Sequence, residues 1–208
     1  VKFDSLGNLV WEKTYGGSAG EAGRRVHELP NGDLLLLAET SSMDGPMSDN
    51  HSASRDLWLA RTTYNGALLW TKCLGGTGDD TPRDMFVHPN GEIFIVGIVR
   101  SSDGDVSGYH EGGPSRPADS WLVKVDQEGT IIWQLCLGGS DIDTGQGVTV
   151  AANGKVFVAS TSISSDGDRT DPIGDWDYWI SRVSEMGILE LERSFGGTNG
   201  DQLSSIVM

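Results

Sequence analysis

Apolar and polar positions alternate along this chain in short runs, each closed by a glycine or an Asn-Gly turn. The stretch from Glu92 to Val99 is almost continuously apolar, as a strand buried on both faces reads. Asp33–Thr40 and Lys155–Thr161 match it. A shorter strand is expected just before it, around Asp84–His88. After a long polar loop comes Ser120–Val125, matched by Leu57–Arg61 and Tyr178–Val183, and then Thr130–Leu137. No segment carries a sustained helical period with caps. The pattern therefore predicts an all-β chain of four-stranded antiparallel units, with tight first and last turns and a long middle loop.

The units repeat. Double glycines at Gly16-Gly17, Gly75-Gly76, Gly138-Gly139 and Gly196-Gly197 are spaced by 59, 63 and 58 residues. An acid stands four residues after each pair, as Glu21, Asp80, Asp143 and Asp201. Four-stranded repeats of this length are the mark of β-propeller blades. The expected division is the end of one blade at 1–15, blades at 16–75, 76–138 and 139–196, and the first strand of another at 197–208. The initial strands are expected at Val1–Asp4 and Asn8–Tyr15, and the final one at Leu203–Met208. A gap would remain on closing a ring of this length, so further blades of a longer chain are expected.

Repetition also sorts architecture from chemistry. Trp58, Trp121 and Trp179 share one slot on the third strand, and Trp11, Trp70 and Trp133 share another on the fourth. Large aromatics at fixed slots read as packing between neighbouring units. Cys73 and Cys136 also share a slot and read as small buried residues rather than a disulfide or metal pair. Arg61, Lys124 and Arg182 read as repeated ion-pair or stem-packing positions, and His51 and His110 as surface loop histidines.

The net charge of −15 disfavours a nucleic-acid backbone or an anionic membrane surface as partner. No apolar run approaches the length of a membrane span. Much of the acid lies in the long loops, which with the double-glycine turns should share one face of the molecule. Within Ser-x-Asp-Gly-Asp, Asp103 and Asp105, and likewise Asp166 and Asp168, offer the oxygen-rich turn that Ca²⁺ requires. The same residues also read as Asx turns capping a strand, with no cofactor. No nucleophilic triad, paired cysteines or zinc-protease motif is present, so no catalytic residues are assigned.

The residues private to one unit carry the remaining signal. Trp176 stands outside both tryptophan slots, beside Asp175, and Tyr109 precedes an insertion over 111–117. An aromatic beside carboxylates can stack on a sugar or anchor a protein partner.

The motifs Trp11-Glu12-Lys13-Thr14-Tyr15-Gly16-Gly17, Ser102-Asp103-Gly104-Asp105 and Asp119-Ser120-Trp121-Leu122-Val123-Lys124-Val125-Asp126 carry a resemblance over essentially the whole chain. It resembles the long β-propeller repeats of secreted and surface proteins from Bacteroidota-type bacteria. The resemblance implies export to the cell surface or the extracellular or periplasmic space, and it brings no common catalytic set. The expected function is non-catalytic binding or scaffolding of a protein or glycan through the acidic loop face. The alternatives are a carbohydrate-active hydrolase using loop carboxylates and a purely structural spacer.

Overall fold

The computed structural model describes residues 1–113, 117–201 and 205–206. Among the described residues, fourteen strands form three four-stranded antiparallel sheets and one two-stranded sheet. The two-stranded sheet is β1 (Lys2–Phe3) with β2 (Leu9–Trp11). The first large sheet comprises β3 (Glu21–Glu28), β4 (Leu34–Thr40), β5 (Asp56–Thr62) and β6 (Leu68–Leu74). The second comprises β7 (Thr81–Val87), β8 (Ile93–Val99), β9 (Asp119–Val125) and β10 (Ile131–Leu137). The third comprises β11 (Asp143–Val150), β12 (Val156–Ser162), β13 (Asp177–Val183) and β14 (Leu189–Phe195). Within each large sheet the strands lie in chain order. Most of the expected final strand, 203–208, falls outside the described residues, but Ser205 and Ile206 lie against β11 beside Gly147.

The turns explain the order. Gly32, Gly91 and Gly154 close the first hairpins with φ between +79° and +92°, a region that a side chain strongly disfavours. Gly66, Gly129 and Gly187 do the same for the last hairpins.

Alternation along the strands then stacks the sheets. Leu35, Leu37, Leu57 and Leu59 of the first sheet pack on Ile93, Ile95, Trp121 and Val123 of the second. The opposite faces of the same strands in the second sheet present Phe94, Val96 and Leu122 to Val156, Val158 and Trp179 of the third. Tyr15 closes the first sheet from the other side, packing on Trp58 with ring centroids 6.2 Å apart. The near-continuous apolar run of β8 thus reflects its position between two cores.

The tryptophan slots perform two packing tasks. Trp121 and Trp179 are fully buried, and their indole N–H groups donate to Gln134 Oε1 at 2.6 Å and Glu192 Oε2 at 2.8 Å. The fourth-strand indoles reach the next sheet instead. Trp11 donates to the Tyr64 carbonyl and Trp133 to the Glu185 carbonyl, both at 3.0 Å. Cys73 and Cys136 are buried free thiols. Arg61 pairs with Asp33, Lys124 with Glu92 and Arg182 with Glu190.

Candidate functional site

The long loops are tied to the double-glycine turns by a repeated set of hydrogen bonds. Asp80 Oδ2 accepts from the Gly76 amide at 2.8 Å and from Ser101 Oγ at 2.6 Å. Asp143 does the same with Gly139 at 2.8 Å and Ser164 at 2.7 Å. Asp201 accepts from Gly197 at 2.8 Å. The acid after each glycine pair is therefore the clasp of its turn.

The loop carboxylates close the clasp from the other side. Asp103 accepts from the Thr77 amide and Asp166 from the Ser140 amide, at 2.7 and 2.8 Å. Asp105 and Asp168 accept from the amides of Gly75 and Gly138, both at 3.2 Å. These are the four residues considered as Ca²⁺ ligands. Their partners lie on a turn up to 30 residues away in sequence, rather than in a local Asx turn. Backbone amide bonds hold the pKa values of Asp103 and Asp166 below the usual carboxylate range. Among the described residues no group of three or more His, Cys, Asp or Glu side chains is arranged to hold a metal ion.

The histidines are more than surface residues, which corrects the sequence reading. His51 Nδ1 lies 2.7 Å from Asp56 Oδ2, and its backbone amide donates to the same oxygen at 3.2 Å. His110 repeats this on Asp119, at 2.9 Å from the ring and 3.0 Å from the amide. The far ring nitrogens face Asp105 and Asp168 at 3.6 and 4.0 Å. Both aspartates are fully buried at the start of their strands. Burial pushes each of their carboxyls up to about 6. Burial opposes charge on both imidazoles, but the hydrogen bond and charge of the paired aspartate outweigh it and raise their pKa values.

In the third sheet Ile173 occupies the histidine slot, and a buried arginine takes over. Arg169 NH2 is paired with Asp177, while its Nε donates to Ser194 Oγ at 2.9 Å and its NH1 to the Ser164 carbonyl at 2.9 Å. The corresponding positions in the other sheets hold Met47 and Val106, both buried. The signal available to sequence reading was the joint change of three slots, with Ile for His, Arg for Met or Val, and Ser194 for Cys.

The private residues separate. Trp176 is half-buried and Asp175 is exposed. The Trp176 carbonyl accepts from the Asp201 amide at 2.6 Å, as Arg55 and Ala118 do from Asp80 and Asp143. Its backbone thus occupies a repeated position, and only its indole is private. Tyr109 lies elsewhere, packed against the core between the first two sheets, with its hydroxyl donating to the Pro117 carbonyl at 2.5 Å. The structure does not bring Tyr109 and Trp176 into one constellation: Tyr109 instead lines a cleft with Ser54, Arg55, Asp79, Arg100 and Ile142.

No known protein-family model matches the chain. It is 26% identical to the regulatory protein FlaEY of Caulobacter vibrioides, over 97% of this chain and 22% of that protein. The chain thus spans about a fifth of the length of this curated relative. Among solved structures it is similar to point mutants of the Synechocystis apocarotenoid oxygenase. Two of these align at TM-scores of 0.44 and 0.43 and identities of 14% and 17%, each covering 92% of this chain and 41% of the oxygenase.

Proposed function

We propose that the three large sheets are consecutive blades of a β-propeller, and that the chain is a non-catalytic binding or scaffolding segment of an exported surface protein. Its partner, a protein or glycan, is met on the face built by the long loops and double-glycine turns.

The observation that carries this reading is the clasp between loop and turn. It repeats at the same relative positions in successive sheets and holds long loops in fixed shapes. Loops fixed in this way present a preorganised surface, which lowers the entropic cost of binding. On it the indole of Trp176 is partly open beside exposed Asp175. Support for further blades comes from the outer strand. Leu74 and Leu137 are 4% and 0% exposed beneath the following sheet, whereas Phe195 in the same slot is 53% exposed. A neighbouring blade would cover it.

The test is a glycan array and a pull-down with the wild-type chain and Trp176→Ala. Capture of a ligand that the variant loses supports the reading. Capture unaffected by the substitution removes Trp176 from the site, and capture of nothing by either protein overturns the binding reading. The spacer reading is favoured by one specific observation, the engagement of most loop carboxylates by backbone amides, and that last outcome would select it.

A further inference from the structure

One packing slot differs between the sheets, and a cavity lies beside it. Leu35 pairs across the ladder with Arg61, as Phe94 pairs with Lys124 and Phe157 with Arg182. The repeat therefore sets a phenylalanine beside the basic residue in the second and third sheets, and a leucine in the first. The cations themselves are held alike, Arg61 by Asp33 and Lys124 by Glu92, both at 2.8 Å.

Between the second and third sheets the phenyl ring is buried in its slot. Phe94 is 2% exposed and packs with Val156. Lys124 Nζ stands 5.4 Å from the ring centroid, within cation–π range, and Trp133 meets the ring edge-on at 6.2 Å. Between the first and second sheets the matching place adjoins a cavity of about 270 Å³, lined by the apolar Leu29, Leu35 and Ile93 and by the polar Arg61 and Gln127. It lies among the Asn31 and Asn90 turns, at the strand ends opposite the long loops. Arg61 directs Nε and NH2 to Asp33, and Gln127 directs Nε2 to the Asn90 carbonyl at 3.2 Å. Among the described residues, Arg61 NH1 and Gln127 Oε1 are left without a hydrogen-bond partner.

We propose that this cavity binds a small ligand with a single aromatic ring bearing a hydroxyl. The ring takes the place that Phe94 holds at the next boundary and lies against the Arg61 guanidinium, while the hydroxyl donates to Gln127 Oε1. The chain itself supplies the model for the occupant, since an apolar slot with a cation over it accommodates a phenyl ring one repeat later. Arginine is the better partner for such a ring, because its planar guanidinium stacks on aromatic faces and is more weakly hydrated than an ammonium. A cavity of this size, with an apolar lining and few polar groups, suits a ligand of one ring. The site goes beyond the loop-face reading and does not depend on the surface around Trp176.

The test is a ligand-observed saturation-transfer NMR titration with phenol, and with cyclohexanol as an aliphatic alcohol of similar size. Phenol should bind the wild-type chain, and cyclohexanol should bind about threefold more weakly or worse, because it offers the guanidinium no π face. Leu35→Phe should abolish transfer to phenol, as the chain's own ring then occupies the slot. Arg61→Gln should weaken phenol binding by about threefold or more and narrow its advantage over cyclohexanol. If Leu35→Phe fails to fold, Arg61→Gln and the comparison of the two alcohols still decide the matter. Absence of transfer to phenol in the wild-type chain overturns the proposal. So does equal affinity for cyclohexanol, or phenol binding that Leu35→Phe or Arg61→Gln leaves intact.

Discussion

Arg169 neutralises Asp177 from a position four residues before the one from which histidine serves Asp56 and Asp119. The backbone around it is unchanged, since the Ile173 amide still donates to Asp177 at 3.0 Å, as the amides of His51 and His110 do to their aspartates. One buried carboxylate has thus been given two different counter-charges within one chain.

Arg169→Met would restore the residue found at Met47 and leave Asp177 buried without its cation. Breaking such a pair costs about 3–5 kcal/mol, read as a fall in the urea unfolding midpoint. Adding Ile173→His should recover a large part of that loss, because the backbone already places position 173 against the carboxylate. Equal stability of the single and double variants would count against this exchange.

The histidine pairs make stability depend on pH. Both histidines titrate in the folded protein above the unfolded value of 6.5. Their contribution is complete below 6.5 and is lost as pH rises through the folded value. The carboxyls of Asp56 and Asp119, raised to about 6, act in the same direction, favouring the folded state at lower pH. Unfolding followed from pH 6 to 9 should show falling stability, and the slope should flatten in the variant carrying His51→Asn and His110→Asn. An unchanged slope would sink this assignment.

The second glycine of the first three pairs is required by the loop above it. A Cβ at Gly139 would lie 2.5 Å from the Asp166 carbonyl, with Ser164 at 2.9 Å, so Gly139→Ala should destabilise by about 1–3 kcal/mol. At Gly197 the nearest neighbour among the described residues is Asp201 Oδ2 at 4.0 Å, and Gly197→Ala should change stability by no more than about 0.5 kcal/mol. Thermal unfolding of the two variants compares them directly.

Cys73 and Cys136 should resist thiol reagents in the native state. Both are buried, and burial raises their thiol pKa values, with nearby aspartates adding to the effect. Labelling should appear only with denaturant, at the unfolding midpoint. Rapid labelling of the folded protein would contradict their placement.

Several elements were legible in order along the chain. Apolar runs and Asn-Gly turns located β10 and the second and third strands of the three large sheets to within a residue at each end, although β7 begins at Thr81, three residues before the expected start. Repeat spacing identified Asp80 and Asp143 as turn residues, because their partners Gly76 and Gly139 are only four residues away. The tryptophan and cysteine slots were likewise readable as packing positions, since the same demand recurs in each sheet.

What the sequence determined by itself was the local and periodic part: strand identity, turn chemistry and the division of residues into repeated and private. Only the tertiary structure decided the partners of the charges. Asp103 meets an amide 26 residues back, and Asp84 bonds Arg25 on β3 and the Val148 amide on β11, the first strands of both neighbouring sheets. The physical reason is that strand and turn preferences act through adjacent residues, whereas charge acts through space. Stacking three sheets brings together side chains that spacing along the chain keeps apart.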